Sequence, residues 1–217
     1  MDITASTPQT PDTGARWRKR LRIGVVALVV LAVGVYGART VLARARPYVF
    51  HGSVIQSTEK APQVSLQSGD GPVSLADFAG EVVVLYFGYT FCPDVCPTTL
   101  AKMARAMDLL GDRSDEVNVV MISVDPERDT PEIVSEYVRH FDPRFIGVTG
   151  PPEVIDRVAT VYGVYYEKAE GSAATGYLVN HTATLMVIDR EGYLKVVLPF
   201  EGTAEEIAAD IEYLLEH

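Results

Sequence analysis

The hydrophobic rhythm of this 217-residue chain changes several times, and each change marks an element. From Ile23 to Ala38 the sequence is uncharged and apolar on every side, which predicts a helix without a polar face. After a polar, proline-bounded stretch from Pro47 to Pro62, residues 64–66 and 73–75 alternate around Ser68-Gly69-Asp70-Gly71, a turn between two strands. Glu81 to Phe87 and Val117 to Val124 are β-branched and aromatic runs, the signature of strands covered on both faces. Between them Leu100, Met103, Ala104, Met107 and Leu110 recur at helical spacing, and Gly111 ends that helix. Thr130-Pro131-Glu132 supplies a capping threonine and a first-turn proline for a helix to about His140, and another helix is expected from Pro152 to Tyr162. Tyr165 to Lys168 is expected to pair with Tyr177 to Val179, and Thr184 to Asp189 with Leu194 to Leu198 across Arg190-Glu191-Gly192. Thr203-Ala204-Glu205-Glu206 is a capping box, and Ile207, Ile211, Leu214 and Leu215 give the last helix a core face.

Strands and helices in this order predict an α/β, thioredoxin-like fold: a central mixed β-sheet flanked by helices, preceded by a single N-terminal transmembrane helix. The expected organisation is a disordered cytoplasmic tail over 1–20, a membrane anchor over 21–43, a linker over 44–62 and the folded domain over 63–217. Residues 1–15 are polar and without periodicity, hence expected to be disordered. The apolar run of about 16 residues is extended by Leu21 and by Thr40 to Ala43 towards a spanning length. Arg16, Arg18, Lys19, Arg20 and Arg22 precede it, and Arg39, Arg44 and Arg46 follow. That excess places the N-terminus in the cytoplasm and the folded domain on the extracytoplasmic side of a bacterial plasma membrane. Ala43-Arg44-Ala45 has the spacing of a signal-peptidase site, so a cleaved signal is the alternative, and a buried core helix a third. Asp2, Asp12 and the lack of early basic residues do not suit a mitochondrial presequence.

Charge divides at the same boundary. Residues 1–46 hold eight basic and two acidic side chains, and the remainder holds 11 basic and 27 acidic, a net of about −16. Nucleic acid is therefore excluded as a partner of the folded part, and an acidic surface suits either an electropositive partner or solubility alone.

The chemistry concentrates at Cys92 and Cys96, the two cysteines of the chain, in Gly88-Tyr89-Thr90-Phe91-Cys92-Pro93-Asp94-Val95-Cys96-Pro97. A strand delivers them to a helix N-terminus, where backbone N–H groups favour thiolate. Such a pair either exchanges electrons as a dithiol/disulfide couple or holds a soft metal ion. In thioredoxin-like folds the loop before the hairpin strand faces the cysteines and usually carries proline; Ala183 stands there, with His181 two residues earlier. Two thiolates and one imidazole suit three-coordinate Cu(I) and accept Cu(II), whereas zinc wants a fourth ligand. A hydrogen-bonded histidine at a strand entrance is the plainer role for His181. Asp94 could tune the thiolates or touch a partner, Asp125 and Arg128 could brace the cysteine loop through a salt bridge, and Met103 and Met107 belong to a helix core. His140, at a helix end, His51 and His217 are not assigned to the site.

The cysteine segment, with Ser123-Val124-Asp125-Pro126-Glu127-Arg128-Asp129-Thr130, Phe141-Asp142-Pro143-Arg144-Phe145-Ile146-Gly147 and the late His181, resembles the SCO/SenC family over roughly residues 55–215. That family usually has Asp before the late histidine; here Asn180 stands there, and its amide can hydrogen-bond the imidazole without carrying charge. The resemblance implies a membrane-anchored copper chaperone, without turnover of its own, for the CuA centre of cytochrome c oxidase subunit II. One copper per chain would be held by Cys92, Cys96 and His181. A copper donor protein and a thiol reductant are the further partners implied. The rival is a thiol:disulfide oxidoreductase acting on exported cysteines through Cys92 and Cys96. A peroxiredoxin-type T-x-x-C arrangement is not met, because Thr90 lies two positions before Cys92.

Overall fold

The computed structural model describes residues 13–44, 47–172 and 176–217, and the chain divides after Tyr48 into two compact units. The first is the helix α1, Thr13–Arg44. It starts within the stretch expected as a tail, whose residues 1–12 lie outside the described residues. Val26, Leu28, Val30, Leu31 and Val33 are all more than half exposed along it. Among the described residues no helix is long and apolar enough to cross a membrane.

The second unit, Val49–His217, holds the sheet. Its strands are β1 Ser53–Val54, β2 Ser65–Ser68, β3 Gly71–Ser74, β4 Val82–Gly88, β5 Val117–Ser123, β6 Ile146–Val148, β7 Tyr166–Ala169, β8 Leu178–His181, β9 Leu185–Ile188 and β10 Leu194–Leu198. Its α-helices are α2 Val95–Leu110, α3 Pro131–Arg139, α4 Pro152–Val161 and α5 Ala204–Glu216. The central sheet runs β1-β10-β9-β4-β5-β6. β4, β5 and β6 are parallel, and β9 lies antiparallel against β4. Every residue of β4 is buried, which accounts for its unbroken Val-Val-Val-Leu-Tyr-Phe run. α2 and α5 pack together beside β4, and α3 packs on β5 and β6.

Two features differ from the sequence expectation. The stretch read as a linker contributes β1, an edge strand paired with β10. It is pinned further by Asp210, a buried carboxylate of α5 that accepts from the backbone N–H groups of His51 and Gly52 and bonds the His51 ring at 2.8 Å. The three-residue β6 extends the sheet beyond β5. The register sets up the site: Gly88 at the end of β4 lies beside Ser123 at the end of β5, so the cysteine loop and the turn at 125–129 leave the same edge.

Candidate metal centre

β4 ends at Gly88 for a steric reason. A Cβ there would stand 3.0 Å from the Cys96 sulfur and 2.7 Å from the Tyr86 ring, so glycine lets the sulfur settle against the strand. Asp94 occupies the N-cap of α2, yet its side chain makes no capping hydrogen bond. The Cys96 N–H donates instead to the Cys92 sulfur at 3.4 Å, a thiolate-favouring use of the helix N-terminus. Both cysteines are free thiols, Cys92 half-buried and Cys96 fully buried.

Their proton affinities diverge for that reason. A hydrogen bond from the Cys96 side chain, aided by the N–H groups of Asp94 and Cys96, overcomes burial and lowers Cys92 to about 5. Cys96 is pushed far upward by its bond to Cys92 and by burial. At neutral pH the pair is one outer thiolate and one inner thiol sharing a single proton. Iodoacetamide is therefore expected to alkylate Cys92 at a rate nearly flat above pH 6, falling about tenfold per unit below the midpoint, with Cys96 spared. Peptide mapping by mass spectrometry checks this; a midpoint near the ordinary thiol value of about 8.5 would contradict it.

His181 closes β8, which among the described residues pairs with β7 in a small two-stranded sheet. Its Nδ1 lies 3.1 Å from the Val179 carbonyl, which can only accept, so Nδ1 carries the proton and Nε2 of the neutral ring keeps its lone pair. Nε2 lies 3.6 Å from the Cys96 sulfur. The ring stands edge-on to Tyr89, centroids 5.6 Å apart, and to Tyr86 at 6.5 Å. Asn180 does not hold the imidazole as expected. Strand alternation turns it to the other side, exposed and facing Glu167 at 3.5 Å, and the Val179 carbonyl takes the role instead.

The structure thus brings Cys92, Cys96 and His181 together through pairwise contacts that share Cys96. Among the described residues no three His, Cys, Asp or Glu side chains already surround a common point at metal-binding spacing. The donors themselves, two sulfurs and an imidazole nitrogen, match a soft ion such as Cu(I). Met103 and Met107 are buried in the core, as expected. His140 is the C-cap residue of α3, and His217 stacks on Tyr213.

Sequence reasoning missed two supports. Asp129, fully buried, accepts from the Thr90 N–H at 3.0 Å, the Thr90 hydroxyl at 2.5 Å and the Ser123 hydroxyl at 2.5 Å, so it holds the cysteine loop to the end of β5. Burial raises its pKa despite these donors. Tyr177 is the other: its hydroxyl donates to Asp125 at 2.6 Å, and burial followed by that carboxylate raises it to about 12. Their residue types carry no pattern; the Ser-Val-Asp-Pro-Glu-Arg-Asp-Thr run was the available hint.

Comparison with known proteins identifies the family. The SCO1/SenC family profile matches residues 55–216. Protein SCO1 homolog 1, mitochondrial, of Arabidopsis thaliana is 46% identical over 129 residues, 58% of this chain; the match spans only 38% of that relative's length. Protein SCO2 homolog, mitochondrial, of Bos taurus is 32% identical over 219 residues, covering 95% of this chain and 81% of the relative. The crystal structure of Arabidopsis thaliana ScoI with copper bound superposes with a TM-score of 0.68 at 37% identity, over 73% of this chain and 99% of that one. With the family profile matched over residues 55–216 and a 32%-identical relative aligned over 95% of its length, the chain belongs to the SCO1/SenC family.

Proposed function

We propose that this protein is a membrane-anchored metallochaperone that carries one copper ion on Cys92, Cys96 and His181 and delivers it to the CuA centre of cytochrome c oxidase subunit II. The observation that carries the reading is the approach of His181 Nε2 to within 3.6 Å of the inner sulfur, from a strand remote in sequence. Copper in the Arabidopsis relative supports the choice of metal. Copper is cargo here, and the residues do the work of holding and releasing it. Cys92 is a thiolate at neutral pH, Cys96 gives up its proton on loading, and the Val179 carbonyl fixes the imidazole tautomer that offers Nε2. The exposed aliphatic run of α1 between basic flanks supports a single membrane span, with residues 63–217 on the extracytoplasmic side of a bacterial plasma membrane. A copper donor protein and a thiol reductant are the partners this role requires.

A second reading has its own support. An outer thiolate of low pKa beside a buried inner thiol is the arrangement of a thiol:disulfide oxidoreductase. The two roles are linked, because a Cys92–Cys96 disulfide would remove both sulfur donors from copper.

Metal analysis of the reduced chain separates them. The parent chain is expected to hold one copper. His181→Ala should weaken Cu(I) by more than the roughly 10- to 100-fold that loss of an outer partner costs, and leave thiol exchange largely intact. Copper held as tightly by that variant as by the parent would remove the chaperone reading and leave the redox one.

A further inference from the structure

We infer that Arg128 is a positioning residue that sets the reach of His181 to the sulfurs by clamping the β7–β8 hairpin onto the cysteine loop; the inference rests on the copper reading above. The hairpin lies outside the central sheet, so backbone pairing with that sheet does not fix where His181 stands. Its placement depends on the short link to β9, on the Tyr86 and Tyr89 rings against His181, and on the turn at 125–129 that grips its other end.

Arg128 works on both sides of the gap. Towards the hairpin, Nη1 donates to the Tyr177 carbonyl at 2.9 Å, and the guanidinium lies 3.7 Å from the centroid of the Tyr177 ring. Towards the cysteine loop it stands 4.8 Å from the ring of Phe91, the residue before Cys92, and 5.8 Å from Tyr89. Its Nε donates to buried Asp125 at 2.5 Å, and Asp125 accepts the Tyr177 hydroxyl as well, closing a ring of three side chains. Gly176, at φ +66°, provides the left-handed residue immediately before Tyr177. Lys168 adds an ion pair to Glu127 at 2.6 Å.

The turn is itself immobilised. The N–H groups of Arg128 and Asp129 donate to the Asp125 carbonyl, and Asp129 holds Thr90. A single rigid turn therefore grips the segment that bears the sulfurs and the segment that bears the imidazole. Arginine is suited to this because its planar guanidinium can stack its face on an aromatic ring and donate hydrogen bonds within its own plane at the same time, which an ammonium cannot.

The test uses the full-length reduced chain and Cu(I) competition with bicinchoninate. Arg128→Ala should weaken Cu(I) about 10- to 100-fold, the cost typical of losing a partner that orients a ligand. In a His181→Ala background the same change should cost less than about twofold, because the residue acts through the imidazole. Equal losses in both backgrounds would overturn the inference. A copper-free readout stands beside it: the nuclear Overhauser contact between the His181 and Tyr89 rings should vanish in Arg128→Ala and return at least in part in Arg128→Lys. Tyr177→Leu removes the opposing face of the clamp and should reproduce both effects if Arg128→Ala does not fold. A contact that persists in Arg128→Ala or Tyr177→Leu overturns the clamp whatever the metal does. A parent chain that takes up no copper removes the copper reading, and the ring contact then decides the clamp alone.

Discussion

Replacing Cys96 by serine should take copper uptake by the reduced chain from one ion to none. Cys96 is fully buried and is the member of the trio that touches both others, with its N–H on the Cys92 sulfur and its own sulfur facing His181. A serine hydroxyl is a hard, protonated donor at neutral pH and offers a soft ion little in exchange. The Cys96 side chain is also the largest cause of the lowered Cys92 pKa, through its hydrogen bond to that sulfur. A serine hydroxyl can still donate there, so Cys96→Ser should leave Cys92 alkylation near its parent midpoint, whereas Cys96→Ala, which removes the donor, should raise the midpoint from about 5 towards the ordinary thiol range. The sign also gives a stability window. A thiol depressed in the folded state stabilises the fold most at pH above its unfolded value, and that contribution fades as pH falls through the folded value near 5. A Cys96→Ser chain that kept stoichiometric copper would show that the inner sulfur is not a ligand.

Gly147→Ala should destabilise the folded unit more than other single-methyl additions to this protein. A Cβ at Gly147 would stand 2.5 Å from the Val134 carbonyl oxygen, 2.6 Å from its carbon and 2.8 Å from the Ser135 nitrogen. These are backbone atoms of α3 and cannot rotate aside. Ser135 fastens the same contact by donating to the Gly147 carbonyl at 3.1 Å. Overpacking of this kind costs about 3 kcal/mol or more, and at roughly 2–4 °C per kcal/mol for a domain of this size the melting temperature should fall by about 6–12 °C. Thermal and urea unfolding check it. A fall of less than about 3 °C would mean that α3 slides on β6 at little cost. The site should feel the change, since α3 follows directly on the turn that holds Thr90 and Tyr177.

How much of this was legible in the sequence depended on the size of each signal. The buried run of β4 and the helical spacing of Leu100, Met103 and Met107 have one physical cause each and were readable. β6 is three residues long and β1 two, too short for any periodicity, and their places come from pairing with β5 and β10. Cys92, Cys96 and His181 could be singled out because their chemistry resides in the residue type. Asp129, Tyr177 and the stacked side of Arg128 could not, because those roles exist only once three distant segments meet. Asn180 is a different case: alternation along a strand already implied that neighbours 180 and 181 point apart.

The unequal exposure of the two sulfurs would, on the proposed role, impose an order on traffic. A visitor from solvent would meet Cys92 first, and only after that foothold engage the recessed Cys96. Departure would run in reverse, with the outer tie the last to part and the one an acceptor could grasp while the cargo is still held. Exchange on that role would proceed by successive substitution, with no free ion released into the surrounding water.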